Sequence, residues 1–307
     1  MPFVFMESHL RRLCEINSFS VPDHNMIFFG FRGCLPVNPD DCDFRTEHHL
    51  KVVTIDYDHP CCTIAQWLPQ DGKIAIFPGS TVPCKKKIQD ALSDGGEGAN
   101  QLMTGFFRDY EKGIHGRNNP QRAHKAFRQT KDRPIRRSGD DLDYDNLDVV
   151  EVMNPGDNLH AGWSRGINYN FSSAGCQVVV GFPKCEKPGY EAERGPWKDF
   201  RGNAYAIDQD VFAYILLGGY EAQQVALSNS QQTFAFLRFG SFGSLVEELQ
   251  TALKQKGYYQ GPLDGDFGRG TIMAVLKFQE ATFGKDDADG IVCPQTAAAL
   301  GIAWPKI

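Results

Sequence analysis

Near residue 244 the chain changes period, and that switch restricts the folds open to it more than any other feature. Upstream, apolar residues fall in short β-branched or aromatic runs broken by Gly, Pro and Asp. Downstream, Leu245, Leu249 and Leu253 recur at every fourth position, which lines one face of a helix. Gly257 suits the left-handed position that ends such a helix. Thr271 opens a second helix burying Ile272, Val275, Leu276 and Phe278. Pro294 starts a short third one, which Gly301 stops. The expectation is an α+β chain: a mainly β unit over 1–234 and a small three-helix bundle over 235–307. The Gln-, Ser- and Asn-rich stretch 222–240 reads as the linker between them.

A chain of 307 residues has room for two cores. In the first unit, strands are expected at 25–31, 50–57, 61–68 and 73–77, with Asp71-Gly72 turning a hairpin. Further strands are expected at 146–153, up to His160, and at 177–182. Residues 85–92 read as a short helix, 94–98 as a loop and 204–217 as mixed strand or helix. The stretch 108–137 is basic and 140–148 acidic. It reads as a solvated, partly helical insertion whose charges offset one another. Its alternative use is a bidentate grip on a carboxylate by Arg136 or Arg137.

Residues 160–176 carry the candidate chemistry. His160 ends a strand, a Gly- and Asn-rich excursion follows, and Cys176 comes directly after Ser173, Ala174 and Gly175. A thiol on a tight glycine turn is held rigidly, and the turn aims backbone N–H groups outward as an oxyanion requires. A histidine folded back against the sulfur draws off its proton. Cys176 is then the nucleophile, His160 the base, and Ala174, Gly175 and Cys176 the oxyanion donors. Ser173 braces the turn. Trp163, Arg165 and Tyr169 are candidate cleft walls, with Arg136 a candidate for substrate binding. Read blandly, Cys176 is a small buried hydrophobe at a strand start. His115 is the rival base.

The net charge of −6 does not suit a chain whose main partner is nucleic acid. No apolar run approaches the about 20 residues needed to span a bilayer. Nine cysteines leave at least one unpaired within the chain, which fits a nucleophile; bridges and buried free thiols stay open for the others. No Cys-x-x-Cys pair is present, and His48, His49 and His59 near Cys61 and Cys62 make a poor ligand set, so no metal or other cofactor is expected. Nothing in the sequence fixes an oligomeric state.

His160 followed by Ser173-Ala174-Gly175-Cys176 resembles the active-site signature of the L,D-transpeptidase (YkuD-like) family, where a histidine precedes a Ser/Thr-His-Gly-Cys block. Ala174 stands in place of the second histidine of that block, and Gln177 and Val178 in place of an arginine. Gly79-Ser80-Thr81-Val82-Pro83 is similar to the tail of the strand along that family's cleft. The resemblance implies a β-sandwich catalytic domain that cleaves an L-to-D linkage of a peptidoglycan stem peptide through a thioester acyl-enzyme. It also implies that the carbonyl of Ala161 orients the imidazole. Water as acceptor makes a carboxypeptidase or endopeptidase, an amine a transpeptidase.

Gly257-Tyr258-Tyr259-Gln260-Gly261-Pro262, Asp264-Gly265-Asp266-Phe267-Gly268 and Asp289-Gly290, set among the apolar positions above, resemble a three-helix peptidoglycan-binding domain. That resemblance implies peptidoglycan as partner, with Tyr258, Tyr259 and Phe267 as the floor of a wall-binding groove. The site of action is then the bacterial cell wall or periplasm. The first dozen residues lack the basic and apolar regions of a secretory signal. The expectation is therefore non-classical export, or phage or secretion-system delivery of a lytic or antibacterial effector. Two other readings stay open. One is a non-catalytic wall-binding protein. The other is an unrelated cysteine peptidase or amidase, with Asp157 or Asn158 as its third side chain.

Overall fold

The computed structural model describes residues 1–93, 95, 98–138, 141–228 and 233–307. The loop expected at 94–98 and the linker expected at 222–240 fall partly outside them. The N-terminal half runs β1 (Pro2–Met6), α1 (Glu7–Ile16), β2 (Ile27–Arg32), β3 (Cys34–Pro36), β4 (Glu47–Val52), β5 (Cys62–Leu68) and β6 (Lys73–Ser80). Then come α2 (Lys85–Ser93), β7 (Ala99–Leu102), β8 (Gly105–His115), β9 (His124–Gln129), β10 (Arg133–Ser138) and β11 (Val149–Met153). The first unit ends with β12 (Leu159–Ala161), β13 (Gln177–Val179), α3 (Pro196–Ala206), β14 (Val211–Gly218) and α4 (Gly219–Leu227). Helices α5 (Ser244–Gln255), α6 (Arg269–Phe283) and α7 (Pro294–Leu300) follow.

Eight strands close into a barrel in the order β12-β13-β6-β5-β2-β14-β8-β9. The expected two-sheet sandwich does not form. Leu159 of β12 pairs with Phe127 of β9 while β12 also pairs with β13, so no edge is left to split the sheet. Strands β2 and β14 are apolar on both faces because both are covered. Phe28, Phe212, Tyr214 and Leu216 pack into one core with Phe127 and Phe200. Phe29, Phe31, Ile215 and Leu217 pack into another with Phe3, Phe5, Leu10 and Leu13.

The helical insertion is also corrected. After α2 the stretch is β-rich, and β8 and β9 are barrel strands rather than a solvated appendage. Phe106, Phe107, Tyr110 and Phe127 are fully buried. The intervening Arg108, Glu111 and Lys112 supply the charge that dominates the sequence there. In a strand, alternate side chains face opposite ways, so charge along one face says nothing of the other.

The described residues of the expected linker are largely packed against the rest of the protein. Beyond helix α4, Ala235 and Leu237 are fully buried, and Leu237 bridges to Val292. Buried Arg238 pairs with Glu221, and the Phe106 N–H donates to the Phe239 carbonyl at 2.9 Å. Gly240 sits at φ +89°, where a Cβ would lie 2.3 Å from the Phe106 carbonyl oxygen, so only glycine allows this approach. The three helices share a core of Leu249, Leu253, Phe267, Ile272, Val275, Phe278, Val292 and Leu300. Two glutamines latch its turns. Gln250 donates to Asp264 at 2.8 Å and accepts from the Gly265 N–H at 3.0 Å. Gln279 repeats this with Asp289 and Gly290, both at 2.9 Å.

Candidate active site

Three strands and one turn converge. Parallel pairing sets His160 of β12 opposite Val178 of β13, so the crossover from 162 to 176 returns Cys176 beside Asn158. The antiparallel partner of β9 ends with His115 opposite His124. The result is a cluster of three imidazoles. His115 stacks on His160 at 3.8 Å between centroids and 19° between planes, and His124 stands edge-on to His160 at 5.5 Å. His115, His160 and Cys176 each bring a ligand-capable atom within 4.8 Å of the other two.

Hydrogen bonds fix each ring. His160 Nδ1 lies 2.8 Å from the Ala161 carbonyl and His124 Nδ1 2.7 Å from that of Arg122. His115 Nδ1 lies 3.0 Å from Asn158 Nδ2. Neither Asp157 nor Asn158 therefore orients His160, as the unrelated-peptidase reading needs. The His124 Nε2 is buried and has no partner among the described residues.

Burial sets the charge state. It lowers His160 well below the ordinary imidazole range, with His115 and His124 adding to the shift and the Ala161 carbonyl opposing it. Burial, then the nearby Asp157 carboxyl, raises the Cys176 thiol, while the Asn158 and Cys176 N–H groups pull it back. The resting pair is thus a neutral thiol beside a neutral imidazole. Asp157 is itself pushed up to about 7 by burial, against the pull of Asn100, Arg137 and Arg133.

The turn before Cys176 has little latitude. Gly175 adopts φ +135°, and a Cβ there would meet Asn100 Nδ2 at 2.2 Å and Asp157 Oδ1 at 2.8 Å. Ser173 Oγ donates to the Cys176 carbonyl at 2.8 Å and accepts from the Gly175 N–H at 3.1 Å. That second bond corrects the oxyanion expectation, since the Gly175 N–H is already engaged. Ala174 and Cys176 remain as backbone donors. Gln177 donates to the Gly175 carbonyl at 3.2 Å and accepts from the Tyr214 hydroxyl at 2.9 Å.

Trp163 stands beside His124, at a ring distance of 5.8 Å, and packs on Tyr190 at 4.9 Å. Its φ of +56° is unusual for a bulky residue, and backbone strain of this kind gathers at functional sites. Arg165 and Tyr169 are exposed on the same excursion. Arg136 is not with them. It is buried, and it bonds the Asp145 carbonyl, Asn146 and the Ala288 carbonyl, tying the barrel unit to the helical one. Tyr259 and Phe267 are buried in the helical core, so these two rings do not floor an open groove, while Tyr258 is half-buried against Phe278.

His48 bonds the Ile74 carbonyl and His59 pairs with Asp56, and among the described residues no group of three metal-ligating side chains gathers near Cys61 and Cys62. All nine cysteines are free. Among the described residues no helix is long and apolar enough to cross a membrane. Asn100, His124 and the placing of His115 are not apparent in the sequence, because they reach the site across 36 to 57 residues.

Comparison with known proteins bears on the helical unit. Residues 242–300 match the model of the family described as "Putative peptidoglycan binding domain". The C-terminal helical region is thus a peptidoglycan-binding domain. Over 61 residues, 20% of this chain, the sequence is 44% identical to the spore cortex-lytic enzyme of Bacillus subtilis (strain 168), covering 20% of that protein. The same identity over 61 residues holds for the spore cortex-lytic enzyme of Bacillus cereus, covering 23% of it. The chain spans about a fifth of the length of the curated relatives it matches. No solved structure matches the chain.

Proposed function

We propose that this protein is a peptidoglycan-modifying cysteine enzyme acting on stem peptides, of the L,D-carboxypeptidase or L,D-transpeptidase type. Residues 1–234 form the catalytic unit, and residues 235–307 hold it to the wall. The observation that carries the reading is the His160 imidazole, with Nδ1 tied to the Ala161 carbonyl and its other nitrogen left to serve the Cys176 thiol. The peptidoglycan-binding domain supplies the substrate class.

The chemistry follows from the neutral pair. As the scissile carbonyl approaches, Sγ attacks its carbon while the thiol proton passes to His160 Nε2 and the carbonyl electron pair moves onto oxygen. The N–H groups of Ala174 and Cys176 receive that oxyanion. Its collapse breaks the C–N bond, the leaving amine takes the proton from His160, and a thioester remains on Cys176. Water or an amine then releases it. Because burial opposes a thiolate–imidazolium pair, the resting thiol is a slow nucleophile, and its proton leaves for His160 as the attack proceeds. Trp163, Arg165 and Tyr169 border the route in. The cell wall or periplasm is the proposed site of action.

Mass spectrometry of muropeptides after incubation with wild type and Cys176→Ala tests this. A lost terminal residue, or an exchanged or crosslinked product, should appear with wild type only. Unchanged muropeptides in both, with sedimentation on sacculi retained, would leave a wall-binding protein without catalysis.

A further inference from the structure

We propose that His115 is a second catalytic histidine, a fixed hydrogen-bond donor to the oxyanion that forms at Cys176; this rests on the cysteine-enzyme reading above. The Gln129 N–H donates to Asn158 Oδ1 at 3.0 Å, which fixes the side-chain amide with its NH2 toward His115. Asn158 Nδ2 lies 3.0 Å from His115 Nδ1. An NH2 group can only donate, so His115 Nδ1 must be the lone-pair nitrogen, and the neutral ring carries its hydrogen on Nε2.

His160 is held the other way round. Its Nδ1 faces a carbonyl, which only accepts, so the hydrogen is on Nδ1 and the lone pair on Nε2. Two stacked rings thus present opposite functions at one sulfur. Burial pushes His115 down to about 4 and His160 lower than its ordinary value as well, so both rings keep these neutral forms at neutral pH. His115 as rival base is excluded on the same ground, because its outward nitrogen has no lone pair to receive a proton.

The oxyanion has room for such a donor. Ser173 has taken the Gly175 N–H, which leaves two backbone donors. A nitrogen of His115 lies within 4.8 Å of Cys176 Sγ, and Nε2 has no hydrogen-bond partner among the described residues. At that separation, an oxygen on a carbon bonded to Sγ comes within reach of a donor on the His115 ring. The donated hydrogen bond moves no proton, so the balance of the acylation step is unchanged. The same geometry argues against a metal. Ligation through His115 Nε2 needs that hydrogen removed to Nδ1, and the Asn158 amide must then turn over and release the Gln129 N–H.

Two reagents separate the roles. Iodoacetamide alkylates a thiol through a transition state with no oxyanion, whereas p-nitrophenyl acetate acylates it through one. In His115→Phe, which retains a stacking ring without a donor, alkylation of Cys176 should stay within about twofold and acylation should fall about 100-fold. His115→Gln should recover part of the loss. Asn158→Asp, whose carboxylate accepts from Nδ1–H, should turn the tautomer and slow acylation as His115→Phe does. It should also gain a cobalt-thiolate absorption band absent in wild type. Equal loss of both reactions in His115→Phe, undiminished acylation, or a cobalt-thiolate band in wild type would overturn the assignment. A wild-type Cys176 that reacts with neither reagent would instead sink the cysteine-enzyme reading itself.

Discussion

The helical domain and the histidine cluster are both built around buried polar side chains, but they are assembled over different distances along the chain. In the helical domain, Gln250 closes a turn 15 residues away and Gln279 one 11 residues away. Each latch lies within one helix-turn unit, and its Asp-Gly partner is visible in the sequence. In the cluster, Asn158 reaches back 43 residues to His115, and Asn100 reaches 57 residues forward to Asp157. Nothing local marks those partners. A domain held by local latches can be recognised from its own residues, while a site held by sheet register shows only the pieces that chemistry makes conspicuous.

The sharpest way to break the barrel side of this comparison is Gly175→Ala. The added Cβ has no free space between Asn100 and Asp157, and φ +135° disfavours any L side chain. Muropeptide turnover should drop by more than about 100-fold, through displacement of the turn or failure of the barrel to fold. A variant that turns over muropeptides normally would mean that the turn does not position the thiol. His160→Gln comes next, as it removes the acceptor for the thiol proton. A loss of about 100-fold is expected in muropeptide turnover. Wild-type alkylation should keep rising with pH beyond the range where free cysteine levels off, because burial raises the thiol. Thiol reactivity that has levelled off by pH 7 would contradict the neutral resting pair.

How much was legible follows the same division. The three helices, their Gly and Pro boundaries and the wall-binding resemblance were readable, because each rests on residues within a turn or two. His160, Ser173 and Cys176 were readable as candidates, since a thiol after a glycine turn is conspicuous. The barrel was not, because closure depends on Leu159 finding Phe127. The charged run hid β8 because Arg108 and Glu111 advertise its outer face while Phe107 and Tyr110 fill the inner one. Tyr259 and Phe267 misled in the opposite sense, as aromatic residues beside a turn suit a core as well as a groove.

A smaller effect separates the two regions by pH. Asp157 is held up to about 7 by burial, above its ordinary value in an unfolded chain. The folded state therefore keeps a proton that the unfolded chain releases. The contribution of this group to stability is greatest in acid and is lost as pH rises from the ordinary carboxylate range through about 7. Asp157→Asn should remove that slope, raising stability at pH 8 by a few kcal/mol while changing it little at pH 4. Denaturant midpoints at the two pH values give the measurement. An equal shift at both would show that the carboxyl is not titrating in the fold. For the helical side, Gln279→Ala leaves the Gly290 N–H buried without its acceptor and should cost about 2 kcal/mol. Thiol alkylation should be untouched, since the latch is local.

The mildest prediction concerns Tyr258, whose ring meets Phe278 edge-on at 5.4 Å. If that contact is its purpose, Tyr258→Leu forfeits an aromatic pair and little else, costing about 1 kcal/mol of unfolding free energy. Sedimentation on purified sacculi should then be unchanged, because the ring supports Phe278 from the side rather than meeting a ligand. A wall-binding loss of about tenfold with stability intact would reverse that placement and restore Tyr258 to a groove. The outcome also bears on the comparison itself. A helical domain whose conspicuous aromatics are structural must bind its ligand through polar or backbone groups on its outer faces. Local patterning would then have identified the domain correctly while pointing to the wrong residues within it.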